Sequence, residues 1–176
     1  MSFKITNTKI EIFPNEETAI LFSDIELSVD KIIEAIENFK CEKDKEEGVG
    51  YQQNLSKDLP EHLISKLNLF DRVCKEKIYT TKLKEIADLV VTTNDFTKKI
   101  FFEIEFRPNV EKDLIKFQIG YDSGNLAGAI LIVAINRKEI NEKYTTMPQY
   151  DKINKLIKEL KPKYPLLLIG VSGNHL

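Results

Sequence analysis

From Ser28 to Phe39 the apolar residues Val29, Ile32, Ile33, Ile36 and Phe39 recur at helical spacing, and Ser28 is placed to cap the first turn. A second helix is predicted within Lys57–Glu76. Pro60 and Glu61 suit its first turn, and Leu63, Leu67, Phe70 and Cys74 form its apolar stripe. Beyond it the period changes. Ile86–Val91 reads as a strand, Thr92-Thr93-Asn94-Asp95 as a turn, and Ile100–Phe106 as the returning strand, stopped by Pro108-Asn109. Val110–Tyr121 has the pattern of a helix ending at Ser123-Gly124. Leu126–Ile135 is almost wholly apolar, as befits a central strand covered on both sides. Asp151–Leu160 reads as a further helix and Pro165–Val171 as a closing buried strand. The order strand, strand, helix, strand, helix, strand predicts an α/β (α+β) fold, a mixed central sheet flanked by helices. The first 27 residues are ambiguous: Lys9–Phe13 alternates like a strand, and Thr18–Phe22 is a short apolar run. The charged run Cys41–Gly48 reads as a solvated helix end or loop.

The length of 176 residues suits one domain, 1–176, with one sizeable core. No apolar run of about 18 residues is present, so no transmembrane helix is expected. Met1-Ser2-Phe3-Lys4-Ile5 does not open like a secretory signal, and a reducing, cytoplasmic setting is expected. The 2 cysteines, Cys41 and Cys74, and the 2 histidines, His62 and His175, are too few and too scattered for a zinc site. Ser-His-Asp and Cys-His catalysis are disfavoured for the same reason. A net charge of −2 neither announces nor excludes a nucleic-acid partner, since a local basic channel can coexist with acidic surface elsewhere.

The chemistry concentrates between Asp88 and Glu105. On a strand, Glu103 and Glu105 share a face with Phe101, while Phe102, Ile104 and Phe106 share the other, which is the expected core face. Two carboxylates so placed repel each other, and apolar surroundings add desolvation. A hairpin centred between Asp95 and Phe96 brings Asp88 opposite Glu103, at a Cβ separation of roughly 5 Å. Three carboxylates then converge, a hard-oxygen set suited to Mg²⁺. Asp95 is the alternate first acid. The plainer reading is a wet strand face on which Glu103 and Glu105 simply meet solvent.

The succession Asp88, Glu103-Ile104-Glu105-Phe106, Asp113-Leu114-Ile115-Lys116-Phe117-Gln118, Ala127–Val133 and Tyr164–Val171 resembles the PD-(D/E)xK nuclease core. More narrowly it resembles type II restriction endonucleases of the BglII/BstYI group, with an E-x-E variant of the active site like that of BamHI-type enzymes. The likeness covers a core at 86–171, and the N-terminal part, 1–85, is similar only in being helical. The resemblance implies a restriction-endonuclease-like core and Mg²⁺-dependent hydrolysis of double-stranded DNA at specific sites, with Mn²⁺ able to substitute. Asp88, Glu103 and the backbone carbonyl of Ile104 would hold the metal. Glu105 takes the place of the superfamily's lysine, where it could orient water, bind a second metal or act as general base.

Phosphate and base contacts are then expected from Arg107, Lys116, Arg137, Lys143, Thr145, Thr146 and Gln149, most of them in the polar loop Arg137–Tyr150. Gln52-Gln53-Asn54 is a second candidate loop. The resemblance further implies a homodimer on palindromic sites, no membrane partner, and a cognate methyltransferase encoded separately as part of restriction-modification defence. The competing readings are a structure-specific repair or resolvase-type nuclease, a non-catalytic DNA- or protein-binding module with a degenerate site, and an unrelated α/β protein.

Overall fold

The computed structural model describes residues 2–13, 28–42, 51–74, 87–93, 96–105, 110–135 and 149–173. Among them six strands form one sheet: β1 (Ser2–Phe13), β2 (Lys40–Glu42), β3 (Leu89–Thr92), β4 (Lys99–Glu105), β5 (Leu126–Ala134) and β6 (Leu166–Gly173). The spatial order is β2-β1-β6-β5-β4-β3. The pairs β4–β5 and β5–β6 are parallel; β3–β4, β1–β6 and β1–β2 are antiparallel. The mixed sheet flanked by helices is the α/β architecture expected from the alternation of patterns.

Four helices among the described residues cover it: α1 (Val29–Glu37), α2 (Tyr51–Lys66), α3 (Glu111–Asp122) and α4 (Gln149–Leu160). Helix α1 begins as its sequence predicts, with the Ser28 hydroxyl accepting from the Lys31 amide at 3.1 Å. Ile32, Ala35 and Ile36 of α1 pack with Leu59 and Leu63 of α2 against Phe102, Ile104, Ile130 and Ile132. On the opposite side, Leu114 and Phe117 of α3 pack with Tyr150, Ile153 and Ile157 of α4 against Phe101, Ala129, Leu131 and Val133. The sheet therefore has a core on each face. All nine residues of β5 are buried, as a central strand of unbroken apolar character requires.

The N-terminal region departs from its reading. Ser2–Phe13 is a long strand, of which only Lys9–Phe13 showed alternation, and Lys40–Glu42 joins the sheet where a solvated end was expected. Helix α2 starts well before Pro60, which lies inside it, and takes in Gln52-Gln53-Asn54, expected to be a loop. It stops at Lys66 because Asn68 turns left-handed, with φ of 53°. The expected stripe is thereby broken: Leu63 is buried, while Phe70 is 63% exposed. Cys74 leaves the helix altogether and donates its amide to Val90 O at 2.9 Å, beside the edge strand β3. The run Thr18–Phe22 lies outside the described residues.

Candidate active site

The β3–β4 hairpin sets the site. Its register pairs Leu89 with Phe102, Val90 with Phe101 and Val91 with Ile100. Thr93 closes the turn, its amide donating to Lys98 O at 2.9 Å and its hydroxyl oxygen accepting from the Lys98 amide at 3.2 Å. One step beyond Leu89, Asp88 falls beside Glu103. The Asp88 carboxylate reaches across, and Oδ2 accepts from the Ile104 amide at 2.7 Å. Asp88 is tied in this way to the strand that carries both glutamates.

Glu103 is only 5% exposed. Its neighbours in the sheet and above it, Phe101, Leu131 and Val133, belong to the core under α3 and α4. The plainer reading, a wet face, is excluded at Glu103, which the fold covers. The physical reason is α3, which lies over β5 and closes that side. Glu105, at the end of β4, is half-buried.

Helix α3 buries Asp113, Lys116, Phe117 and Gly120, a stripe at helical spacing whose first half is charged. The Lys116 ammonium donates to Glu103 Oε1 in a short contact, and to Asp113 Oδ1 at 3.2 Å. Lys116 was expected to contact DNA from the surface. It is 4% exposed and turned inward, because its position on the helix faces the two carboxylates rather than solvent. The buried lysine is what sequence reading missed. Its signal was the spacing Asp113-x-x-Lys116-Phe117, which puts both charged residues on the face that Phe117 marks as buried.

The cluster of Asp88, Glu103 and Asp113 carries three carboxyls against one ammonium. Burial pushes the Glu103 carboxyl up to about 8; Lys116 holds it down, while Asp113 and Asp88 raise it further. Asp88 is also raised, first by the protein crowded about its carboxyl, although the residue keeps an exposed flank. The Ile104 amide and Lys116 lower it, Asp113 raises it, and a hydrogen bond shared with Glu103 lowers it. Lys116 itself is held protonated: burial disfavours its charge, but the paired carboxylates outweigh this. Three carboxyls around one ammonium fit a bound divalent cation, which would displace the protons that burial leaves on Glu103 and Asp88. Among the described residues no three His, Cys, Asp or Glu side chains stand close enough to form a ready-made cage. Mg²⁺ needs only one or two carboxylates from the protein, with water and phosphate completing its shell, so the donor set fits.

The remaining expected residues are placed as follows. Gln149 is the first residue of α4. Asp95, Arg107, Arg137, Lys143, Thr145 and Thr146 lie outside the described residues. The last two residues of the expected loop have joined α4, and Tyr150 is buried against Gly170 of β6. Glu37, at the end of α1, accepts from the Thr8 hydroxyl of β1 at 2.7 Å. By strand order it sits over a strand three places from β4, about 14 Å across the sheet, and is no part of the cluster.

The fold is thus a mixed sheet with helices on both faces, with a carboxyl pair beside its antiparallel hairpin. Residues 15–171 match the family described as restriction endonuclease BglII/BglIII. The chain belongs to that family of DNA-cleaving hydrolases, in agreement with the resemblance seen in its motifs. Among solved structures it is similar to the restriction endonuclease BglII complexed with a DNA 16-mer. That match has a TM-score of 0.53 and 11% identity, and covers 95% of this chain and 78% of that one. At that identity the likeness supports the shared fold. No curated protein matches the chain.

Proposed function

We propose that the chain is a type II, site-specific, Mg²⁺-dependent endonuclease of double-stranded DNA, acting in restriction-modification defence. The observation that carries this reading is the Asp88–Glu103 pair, brought side by side by the hairpin register, with Asp88 fixed by the Ile104 amide. The family match and a fold shared with a DNA-bound restriction endonuclease support it. Asp88, Glu103 and the Ile104 carbonyl would hold the metal, with Asp95 the alternate first acid. When bound, Mg²⁺ supplies Lewis-acid polarisation of the scissile phosphate and a bound water of lowered pKa, and Mn²⁺ can replace it.

The chain's own residues do the rest. The Ile104 amide fixes the Asp88 carboxylate by its Oδ2. Glu105 lies two residues along β4 from Glu103, on the same strand face. It would orient the attacking water and take its proton as that water adds to phosphorus in line with the departing 3′ oxygen. Arg107, Arg137, Lys143, Thr145, Thr146 and Gln149 would contact phosphates and base edges. One nuclease domain spanning 1–176 would pair with a second copy on a palindromic site, in the cytoplasm, alongside a separately encoded methyltransferase.

The test is digestion of unmethylated phage DNA with Mg²⁺ and, in parallel, with chelator. Discrete fragments formed only with Mg²⁺ are expected, and sequencing their ends gives the site. A featureless smear, or cutting confined to branched substrates, would replace this reading by a structure-specific nuclease. No cutting of any duplex or branched substrate would leave a module with a degenerate site.

A further inference from the structure

We propose that Lys116 is a positioning residue for the metal-binding carboxylates: from α3 it grips Glu103 by one oxygen and keeps the other available to the cation. The inference rests on the reading of Asp88 and Glu103 as metal ligands. Three observations carry it. The ammonium contacts Glu103 Oε1, and Asp113, one turn earlier on the same helix, braces it at 3.2 Å. Lys116 is 4% exposed, so it has no route to a DNA phosphate outside and acts through Glu103. Lys116 thereby does for Glu103 what the Ile104 amide does for Asp88, each fixing one carboxyl of the pair by one oxygen.

The arrangement answers a problem set by β4. Its positions on the site face are Lys99, Phe101, Glu103 and Glu105, and the one basic residue among them, Lys99, opens the strand at the end away from the glutamates. The strand therefore sets two carboxylates at one end of a face whose own cation stands about 13 Å from Glu103. The helix packed over that face supplies a cation at Glu103 itself. A side chain whose partner fixes a metal ligand by its second atom sets that ligand's rotamer, and loss of such a partner typically weakens metal binding about 10- to 100-fold. The braced ammonium takes only Oε1 of Glu103, and the second carboxylate oxygen stays free of it.

The experiment uses the full chain as wild type, Lys116→Met and Lys116→Arg. Mn²⁺ binding to the metal-free, DNA-free protein is followed by calorimetry. DNA affinity is measured in Ca²⁺, and single-turnover cleavage is titrated with Mg²⁺. Lys116→Met should weaken Mn²⁺ binding by about 10-fold or more and raise the Mg²⁺ needed for half-maximal cutting by a similar factor. DNA affinity in Ca²⁺ should change little, and Lys116→Arg should recover most of the loss. Should Lys116→Met fail to fold, Asp113→Asn removes the brace while keeping the lysine. It should shift Mn²⁺ binding in the same direction by a smaller factor. Unaltered Mn²⁺ binding in a folded Lys116→Met, or in Asp113→Asn where it stands in, overturns the inference and leaves the functional reading intact. No Mn²⁺ binding by the wild type overturns the functional reading, and this inference with it.

Discussion

Glu103 sits under two opposed demands, since the core around it disfavours charge while the proposed chemistry needs a carboxylate. Its carboxyl titrates near 4.5 in an unfolded chain and about 8 in the fold. Between those values the folded state binds more protons than the unfolded one, so stability falls as pH rises through that window. The metal-free protein should therefore melt at a lower temperature at pH 8 than at pH 5. Glu103→Gln should remove much of that slope, and Mg²⁺ should restore wild-type stability at the upper end. A wild-type melting temperature flat across the window would contradict the burial of an ionisable Glu103. In cleavage, Asp88→Ala and Glu103→Ala should each abolish cutting while keeping DNA binding in Ca²⁺, because they remove the proposed metal ligands and none of the proposed groove contacts. Activity surviving in Asp88→Ala and lost in Asp95→Ala would move the first acid to Asp95. Gly170 is constrained differently: a Cβ there would stand 2.4 Å from Tyr150 Cδ2 and 2.9 Å from Ile135 Cγ1. Gly170→Ala should cost about 1–3 kcal/mol in denaturant unfolding, as overpacking does.

Among the elements, α3 matters most, because it roofs the site and is anchored by Phe117. That ring is fully buried and meets Tyr164 edge-on at 5.9 Å, while the Tyr164 hydroxyl donates to Leu114 O at 3.2 Å. Phe117→Ala should destabilise the protein by about 3–5 kcal/mol. It should also weaken Mn²⁺ binding, since the neighbouring Lys116 loses its footing. Calorimetric unfolding and metal titration of one preparation measure both, and a stability loss with unchanged metal affinity would separate the roof from the site. The hairpin was legible because turn chemistry at Thr92–Asp95 lies between two apolar runs and centres the register, and Leu89 does pair with Phe102. Helix α1 was legible from its period and its serine cap. What escaped were features set by distant packing. Lys116 reads as a surface lysine until α3 is laid on the sheet, and only that helix decides between a wet glutamate face and a covered one. Pairing of β1 with β6 joins residues more than 150 positions apart and leaves no local mark. Proline at 60 suggested a helix start, but tertiary packing of Leu59 and Leu63 carried the helix through it.

For the molecule as a whole, the proposed dimer makes a demand that the single chain cannot meet. One protomer carries one Asp88–Glu103 pair, whereas a palindromic duplex presents two scissile phosphates related by a two-fold axis. Each protomer of a symmetric pair would then cut one strand. A supercoiled plasmid with a single site should pass to the linear form with little nicked circle, because both cuts fall within one binding event. Co-expressing wild type with a differently tagged Glu103→Ala chain, and isolating the molecules that carry both tags, yields pairs with one working site. Those pairs should bind as the wild type does, since the substitution removes a proposed metal ligand and none of the proposed base and phosphate contacts. They should leave open circles nicked in one strand. Linear product from the mixed pairs would show that a single site cuts both strands in turn. Failure to recover doubly tagged molecules, with full cutting by a monomeric wild type, would remove the dimer from the mechanism.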